Sequence, residues 1–279
     1  MAGKRIVIVG GGKMGGAILK GWIASKTAPA DAIEPSDVIV VDPGEERRAF
    51  IGKTYGVKCI SDVSDVTEAP DVVVLAVKPQ VMMAMLETLA VAAPFGGGEK
   101  GPLFISIAAG LTTDSLEAAL PAGAPLVRVM PNVALAIGAG ASGVCAGSKA
   151  TSEQVRYVAD LFGCLGRAVI VEEADMDAVC ALSGSGPAYV AAMIEALRDA
   201  AAAEGLDAEL AETLALQTVL GTARLIDETG ESVAETRVSV CSPGGTTLAA
   251  LDAMNAAGFA GVFEAGVKAA VARSKELAQ

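Results

Sequence analysis

Residues 5–16 read Arg5-Ile-Val-Ile-Val-Gly10-Gly-Gly-Lys-Met-Gly15-Gly16, an apolar run that passes directly into glycines. The run has the composition of a short strand, and a helical spacing of apolar residues follows over 14–24. In such a strand–turn–helix setting, Gly10 permits a tight turn, Gly12 lets a pyrophosphate approach the backbone, and Gly15 lets helix and strand pack closely. The stretch therefore predicts a dinucleotide-binding unit at the beginning of an α/β fold.

Strand and helix patterns alternate over residues 1–171. Strand-like runs lie at 5–9, 38–41, 72–77, 103–107, 126–130 and 168–171, and helical patterns lie at 14–24, 79–89, 114–120 and 152–162. The run VVVLAV at 72–77 is typical of a strand that is buried on both faces of a parallel sheet. We therefore expect a Rossmann-type, doubly wound sheet in a dinucleotide-binding domain that spans 1–171.

Residues 172–279 show helical patterns and no strand-like run. The helical patterns lie at 188–203, 207–227, 248–255 and 260–275, and the first of them is rich in alanine. Alanine-rich helices bury little area by themselves, so a close-packed dimer interface is the usual way to cover them. We expect an all-α domain for substrate binding and dimerisation, and a homo-oligomer that is at least a dimer.

The composition excludes several classes of function. The chain carries 21 basic and 33 acidic side chains, and its formal net charge of −12 argues against binding to nucleic acid or to an anionic membrane. It contains no histidine, so a Ser-His-Asp triad, a Cys-His pair, a histidine-ligated metal and a histidine general base are excluded. Any proton transfer must use another donor or a proton that the substrate brings.

The cysteine pattern and the hydropathy favour a cytoplasmic protein. Five cysteines without a C-x-x-C motif favour reduced thiols over a disulfide framework or a zinc site. The apolar run at 5–9 is too short for a secretory signal peptide. The uncharged stretch 129–148 contains Pro131, Asn132 and several glycines, so we do not expect it to form a membrane helix.

Two segments at predicted strand ends extend the expected cofactor site. Asp42 would accept the ribose hydroxyls of NAD, whereas Arg47 and Arg48 could hold the 2′-phosphate of NADP or lie on a solvated helix face beside two glutamates. Both interpretations remain open, and we expect NADPH to work and NADH to be used unusually well. The loop Ala-Val-Lys-Pro at 76–79 follows the run at 72–77 and is placed to line the nicotinamide half of the cofactor.

The segment Cys241-Ser-Pro-Gly-Gly-Thr-Thr247 precedes a helical pattern. Ser242 is a natural N-cap and Pro243 a natural first-turn residue. Gly244 and Gly245 leave backbone N–H groups unshielded and two threonine hydroxyls follow, so the segment predicts an anion cradle whose size suits a carboxylate. An ordinary well-capped helix is the alternative.

Six motifs are spread along the chain: Gly10-Gly-Gly-Lys-Met-Gly15, Ala76-Val-Lys-Pro79, Ser106-Ile-Ala-Ala-Gly110, Arg128-Val-Met-Pro-Asn132, Leu182-Ser-Gly-Ser-Gly-Pro-Ala-Tyr189 and Ser242-Pro-Gly-Gly-Thr-Thr247. In this order they resemble the motifs of the pyrroline-5-carboxylate reductases, and the resemblance covers essentially the whole chain. It implies a Rossmann domain with a helical dimerisation domain, and dimers that sometimes assemble into rings. It also implies NAD(P)H-dependent reduction of L-1-pyrroline-5-carboxylate to L-proline, the last step of proline biosynthesis.

The resemblance also assigns site residues. It implies a cofactor site formed by Gly10, Gly12, Lys13, Met14, Gly15, Asp42, Ala76, Val77, Lys78, Pro79 and Ala109, and a substrate site formed by Ser242, Gly244, Gly245, Thr246 and Thr247. Thr247 is the candidate catalytic residue because its hydroxyl is the best placed to bond the ring nitrogen. Two departures concern loops near the substrate: the usual Thr-Pro-Ala is Val-Ala-Leu at 133–135, and the usual His-Pro is absent from 230–240.

The expected chemistry agrees with the absence of histidine. An imine nitrogen can be protonated near neutral pH, so the protein can act by positioning two ligands and excluding water. There are two alternative functions. A β-hydroxyacid dehydrogenase uses a lysine early in its second domain, and no lysine lies between Lys149 and Lys268. A non-enzymatic dinucleotide-sensing protein should have lost the substrate cradle, yet the segment 242–247 is complete.

Overall fold

The computed structural model describes residues 3–96 and 101–277, and these contain eight strands and eleven α-helices. The strands are β1 Ile6–Val9, β2 Val38–Val41, β3 Lys58–Ile60, β4 Val72–Leu75, β5 Leu103–Ser106, β6 Leu126–Met130, β7 Gly140–Ala146 and β8 Gly166–Ile170. The helices are α1 Lys13–Ala24, α2 Glu45–Tyr55, α3 Pro79–Val91, α4 Thr113–Ala119, α5 Ser152–Gly163, α6 Met176–Val179, α7 Gly186–Ala203, α8 Ala208–Thr229, α9 Val233–Ser239, α10 Thr246–Ala256 and α11 Phe259–Leu277.

The strands form one sheet in the order β3-β2-β1-β4-β5-β6-β7-β8. Neighbouring strands are parallel except β6 and β7, which run antiparallel. The chain moves outward from β1 through β2 to β3 and then returns to β4 on the other side, so β1 and β4 flank the topological switch point. The expected Rossmann-type, doubly wound sheet is confirmed.

Strand β7 is the main feature of the sheet that the sequence did not predict. A short 3₁₀ turn, Val133–Ile137, and Gly138 at φ +74° reverse the chain after β6, and β7 therefore returns beside it in the antiparallel direction. A parallel return would need a long crossover connection. The uncharged stretch 129–148 thus contains a strand and a turn. In the described part of the chain, no helix is long and apolar enough to cross a membrane.

Both faces of the sheet are buried, as the apolar run at 72–77 predicted. Ile6 and Ile8 belong to a core that includes side chains of α1 and α5, whereas Val7 and Val9 belong to a second core with α3 and α4. Trp22 of α1 anchors the first core, because its Nε1 donates to the Leu161 carbonyl at 3.0 Å and its ring packs edge-on against Phe162. The two cores fix the strands from both faces of the sheet. They thereby fix the starting points of the loops at its carboxyl edge, where ligands bind in open α/β folds.

The chain divides into two compact units. One comprises the residues up to Ser185 together with the chain from Ala270 onward, and the other comprises Gly186–Ala269. The change from alternating strands and helices to helices alone coincides with the end of β8, as expected. The first unit extends further because α6 packs on β7, where a Cβ on Gly143 would lie 2.7 Å from Val179. The domain boundary at residue 171 remains a prediction.

The second unit is helical throughout its length. Helices α7 and α8 are joined by a short connection and pack against each other, and Gly230 at φ +70° ends α8. Helix α9 was not predicted; it begins at a capping box in which Ser232 and Glu235 satisfy each other's backbone N–H groups. Helix α10 begins at Thr246, within the segment 241–247.

Candidate active site

Two of the three motif glycines are required by the packing of the protein itself. Gly10 has φ +105°, and a Cβ there would lie 2.6 Å from the carbonyl oxygen of Ala76. A Cβ on Gly15 would lie 2.0 Å from the carbonyl oxygen of Gly10. Gly10 therefore makes the turn after β1, and Gly15 lets α1 approach the turn closely.

Gly12 is different, because no contact within the described residues requires it to be a glycine. It is the N-cap of α1 with extended backbone, and a Cβ there would meet no heavy atom within 4 Å. No side chain caps the helix at this position, so the first-turn N–H groups of α1 face the same open space. The residues present thus fit a dinucleotide, whose pyrophosphate would lie over Gly12 at the helix N-terminus.

Lys13 and Met14 form the first turn of α1 and border a cavity of about 320 Å³. The other lining residues are Ala17, Val133 and Ala136, so the wall opposite α1 is the 3₁₀ turn at the position of the unusual Val-Ala-Leu segment. The cavity is largely apolar because that segment supplies no hydroxyl group. It can therefore hold a flat apolar group beside the glycine-rich turn.

The Asp42 carboxylate is fixed at the edge of the same turn. Its Oδ2 accepts a hydrogen bond from the Gly11 N–H at 2.8 Å, and its Oδ1 accepts from the Gly44 N–H at 2.9 Å. Asp42 is half-buried, and Gly11 is fully buried behind it. The structure therefore brings Asp42 and the glycine-rich turn together, as expected for a ribose-binding acid.

The two arginines donate to backbone carbonyls and not to the neighbouring glutamates. Arg47 Nε donates to the Gly11 carbonyl and its Nη2 to the Gly12 carbonyl at 3.1 Å. Arg48 Nη1 donates to the carbonyls of the two residues that follow β2, at 2.8 and 2.7 Å. Both guanidinium groups thus bind backbone carbonyls of the loops that surround Asp42.

The loops after β4 and β5 complete this edge of the sheet. Strand β4 ends at Leu75, two residues before the predicted end, so Ala76, Val77 and Lys78 belong to the loop. Ala76 packs on Gly10 and donates to the Val9 carbonyl at 2.8 Å, and Lys78 is the N-cap of α3, with Pro79 as its first residue. Ala109 follows β5, the next strand in the sheet.

Asn132 joins two of the motifs that carry the resemblance. Its Nδ2 donates to the Ser183 carbonyl at 3.1 Å, and its Oδ1 accepts from the Ala134 and Ala141 N–H groups, each at 3.2 Å. Ser183 lies in a π-helical turn, Cys180–Gly184, a conformation that is frequent at functional sites. The side chain therefore holds the loop after β6 against the beginning of the motif at 182–189.

A buried charge network was missed by sequence reasoning. Arg128 of β6, whose side chain is 4% exposed, pairs with Glu173 at 2.5 Å, and the same carboxylate accepts from the Thr113 N–H and the Cys145 thiol. Burial raises the pKa of the Cys145 thiol, and Glu173 raises this pKa further, so the thiol stays protonated and donates. An arginine in the apolar strand Leu-Val-Arg-Val-Met was the available signal.

We expect Glu173→Ala to lower the free energy of unfolding by about 2–4 kcal/mol, because it leaves the buried Arg128 charge without its partner. The control is Glu68→Ala, which breaks the exposed ion pair with Arg5 and should cost less than about 1 kcal/mol. Urea denaturation of both variants measures the difference. Equal losses would show that the buried pair contributes no more than a surface pair.

In the second unit, the structure corrects the prediction for Ser242. Residues 242–245 form a turn in which the Gly245 N–H donates to the Ser242 carbonyl at 3.0 Å and Gly244 has φ +70°. Pro243 and Gly244 occupy the two central positions that a type II turn prefers. Helix α10 therefore begins at Thr246, and its N-cap is Gly245 rather than Ser242.

The beginning of α10 is left without a side-chain cap. Gly245 offers no side-chain acceptor, so the N–H groups of the first helical turn remain available to an anion. Within residues 3–96 and 101–277, the hydroxyls of Ser242, Thr246 and Thr247 make no hydrogen bond to another protein group. Thr247 is half-buried and Thr246 is exposed. The alternative of an ordinary well-capped helix does not describe this segment.

Comparisons with known proteins agree with these features. The family model for pyrroline-5-carboxylate reductase dimerisation matches residues 173–277, and a model described as NADP oxidoreductase, coenzyme F420-dependent, matches residues 5–110. A pyrroline-5-carboxylate reductase of a Synechocystis strain is 42% identical over 270 residues, which cover 97% of each chain. The reductase of Methanosarcina acetivorans is 39% identical and covers 99% of each chain.

Solved structures give the same result. A pyrroline-5-carboxylate reductase from Coxiella burnetii superposes with a TM-score of 0.91 at 35% identity, covering 99% of each chain. The Plasmodium falciparum reductase with NADP bound superposes with a TM-score of 0.83 at 29% identity over the whole of both chains. With relatives at these identities spanning nearly its full length, this protein belongs to the pyrroline-5-carboxylate reductase family.

Proposed function

We propose that this protein reduces L-1-pyrroline-5-carboxylate to L-proline, the last step of proline biosynthesis, by transferring a hydride from NAD(P)H to the imine carbon. The observation that carries the proposal is the similarity to reductases of this name from the glycine-rich turn through α11. A cytoplasmic location belongs to the proposal and is supported by cysteines that are all free in the structure.

The proposed cofactor site is the carboxyl edge of the sheet around β1 and β4. The open space at Gly12 and the uncapped start of α1 support binding of the pyrophosphate there, next to Lys13 and Met14. We assign Asp42 to the ribose hydroxyls, and the loops that contain Ala76–Pro79 and Ala109 to the nicotinamide. A bound nicotinamide supplies the hydride.

The proposed substrate site is the turn at 242–245 with the first turn of α10. A carboxylate suits the uncapped N–H groups of α10 together with the hydroxyls of Ser242 and Thr246, and the exposed backbone at Gly244 allows close approach. The Thr247 hydroxyl is assigned to the ring nitrogen. Binding both groups of the substrate would fix which face of the ring meets the hydride.

The reaction balances without a histidine. The hydride adds to the imine carbon, and the π pair of the C=N bond moves onto the nitrogen, which already carries a proton from solution. The product is a secondary amine, so no group of the protein must donate a proton during hydride transfer. The contribution of the protein is to position the two ligands and to exclude water, and Thr247 bonds the nitrogen as its charge disappears.

The assay that tests this proposal follows NAD(P)H consumption with pyrroline-5-carboxylate, alongside 3-hydroxyisobutyrate with the oxidised cofactors. Turnover of the imine alone supports the proposal. Turnover of the hydroxyacid would assign the chain to β-hydroxyacid dehydrogenase chemistry. We do not expect this result, because the chain has no lysine between Lys149 and Lys268. Cofactor binding without either turnover would leave a dinucleotide-sensing protein.

The proposal includes a homo-oligomer that is at least a dimer, with a ring of dimers as its larger form. Helix α8 supports this, because only Ala211 and Ala215 are buried on it, whereas several of its leucines are half exposed. These leucines are Leu210, Leu214, Leu216, Leu220 and Leu225. A monomer rarely leaves so large an apolar face in water.

We expect sedimentation of the full chain at micromolar concentration to give a mass of at least twice 27.9 kDa. A variant with Leu214→Lys and Leu220→Lys should shift the protein towards the monomer, because the two charges would enter the apolar face of α8. Lys20→Glu, on an exposed position of the first unit, is the charge-change control. A wild-type mass near that of one chain would contradict the proposed assembly.

A further inference from the structure

We propose that Asp42 makes this protein select NADH over NADPH. The inference rests on the proposed function, since it concerns the cofactor of the same reductase. It departs from the Plasmodium falciparum relative, whose structure holds NADP. Three features support it: the position of the Asp42 carboxylate, the charges around it, and the hydrogen bonds that fix the neighbouring arginines.

The carboxylate of Asp42 cannot easily turn away from the cofactor cleft. Backbone N–H groups hold both oxygens, Gly11 from the glycine-rich turn and Gly44 from the loop after β2. The space between Gly11 and the carboxylate is also small, because a Cβ on Gly11 would lie 3.2 Å from Asp42 Oδ2 and 2.6 Å from Ile51 Cδ1. The acid is therefore part of the wall that faces the adenosine ribose of a cofactor whose pyrophosphate lies over Gly12.

Each carboxylate oxygen can accept more than one hydrogen bond. Because one N–H occupies each oxygen, a further position on each remains for the 2′- and 3′-hydroxyls of the NADH ribose. A 2′-phosphate offers no such donor. It would bring a second negative group against a fixed carboxylate, and the repulsion in a partly dry cleft corresponds to about a ten- to hundredfold loss of affinity.

The surrounding charges do not favour a 2′-phosphate either. Besides Asp42, the exposed Glu45 and Glu46 begin α2 at the same edge. The cations are Arg47 and Arg48, and each already donates two hydrogen bonds to backbone carbonyls. These bonds use Nε and Nη2 of Arg47 and Nη1 of Arg48, and they fix both guanidinium groups against the loops. The arginines thus brace the loops around Asp42.

The experiment measures dissociation constants of NADH and NADPH by titration calorimetry on the full chain. We expect the wild type to bind NADH at least tenfold more tightly. Asp42→Asn and Asp42→Ser should both lower this ratio by tenfold or more, through weaker NADH binding and stronger NADPH binding. Because the ratio is taken within one variant, a general loss of folded protein cancels from it.

The arginines provide matched variants, Arg47→Ala and Arg48→Ala, which we expect to weaken both cofactors alike and to leave the ratio unchanged. A wild type that binds NADPH as tightly as NADH, or an arginine variant that loses NADPH affinity alone, would overturn the assignment while leaving the proposed reductase intact. Failure of the wild type to bind either dinucleotide would instead contradict the proposed function. If the Asp42 variants do not fold, the wild-type ratio and the arginine variants decide.

Discussion

Gly15→Ala is expected to prevent the first unit from folding normally. A methyl group at this position would lie 2.0 Å from the Gly10 carbonyl oxygen and 3.1 Å from the Ala76 side chain. Neither atom can move freely, because Gly10 makes the turn after β1 and donates to the Val41 carbonyl of the neighbouring strand. Helix α1 would have to withdraw from the sheet with its buried Trp22. We expect a loss of more than about 4 kcal/mol in the free energy of unfolding.

Gly12→Ala is the matched variant, with the same methyl group added three residues earlier. It should cost less than about 1 kcal/mol of stability, because the new Cβ meets no protein atom. The methyl would instead occupy the space through which the pyrophosphate approaches, and we expect dinucleotide affinity to fall about ten- to a hundredfold, or about 1.4–2.7 kcal/mol.

Urea denaturation and titration calorimetry on the two variants separate the roles of these glycines. Normal dinucleotide affinity in Gly12→Ala would remove the glycine-rich turn from the cofactor site. A stability loss in Gly12→Ala as large as that of Gly15→Ala would show that Gly12 serves the fold. Melting temperatures with and without NADH give an independent measure of binding, because a ligand that binds only the folded state raises the melting temperature.

The glycine-rich turn was predictable because its causes are local. The spacing of three glycines directly after an apolar run determines the turn, the start of the helix and the close packing of helix and strand. The run at 5–9 then pairs with a strand on each side. Sequence alone also identified the apolar run that became β4. The end of that strand was less certain, because Ala76 and Val77 are as apolar as the strand and only the loop geometry excludes them.

Strand β7 and the second unit's turn could not be predicted in the same way. The strand Gly140–Ala146 consists of small residues and owes its conformation to pairing with β6 and β8, which is a tertiary contact. In the turn, Ser242 has the right side chain for an N-cap. However, the Pro-Gly pair after it forms a turn of its own, so the helix begins at Thr246.

Side-chain partners were the least predictable part of the site. The sequence left two alternatives open for Arg47 and Arg48, a 2′-phosphate or a solvated helix face, and gave no sign of the backbone carbonyls to which they donate, the furthest of which lies 36 positions away in sequence. The ion pair of Arg128 spans 45 positions. Such contacts form only in the assembled sheet, and no local pattern encodes them. The roles of the proposed site residues therefore need variants that separate binding from folding.

Thr247→Ala is expected to lower kcat and to raise KM, with kcat/KM falling about ten- to a hundredfold, which corresponds to a lost hydrogen bond of about 1–3 kcal/mol. The reason is the change at the substrate nitrogen during the reaction. As the hydride arrives, the iminium becomes a neutral secondary amine with a lone pair, and the Thr247 hydroxyl can donate to it. The bond therefore strengthens towards the transition state, and its removal affects turnover as well as binding.

Two further variants decide whether the hydroxyl of Thr247 has this role. Thr247→Ser keeps the hydroxyl and should retain most of the activity, whereas Thr246→Ala removes the neighbouring hydroxyl from the exposed first position of α10 and should raise KM without lowering kcat. All three variants should melt within a few degrees of the wild type, because Gly245 and not a threonine caps the helix. Dinucleotide affinity should also be unchanged, since the glycine-rich turn belongs to the other unit. Normal kcat in Thr247→Ala, or an equal loss of kcat in Thr246→Ala, would remove Thr247 from the reacting centre and leave the uncapped helix N-terminus as the part of this segment that binds the substrate.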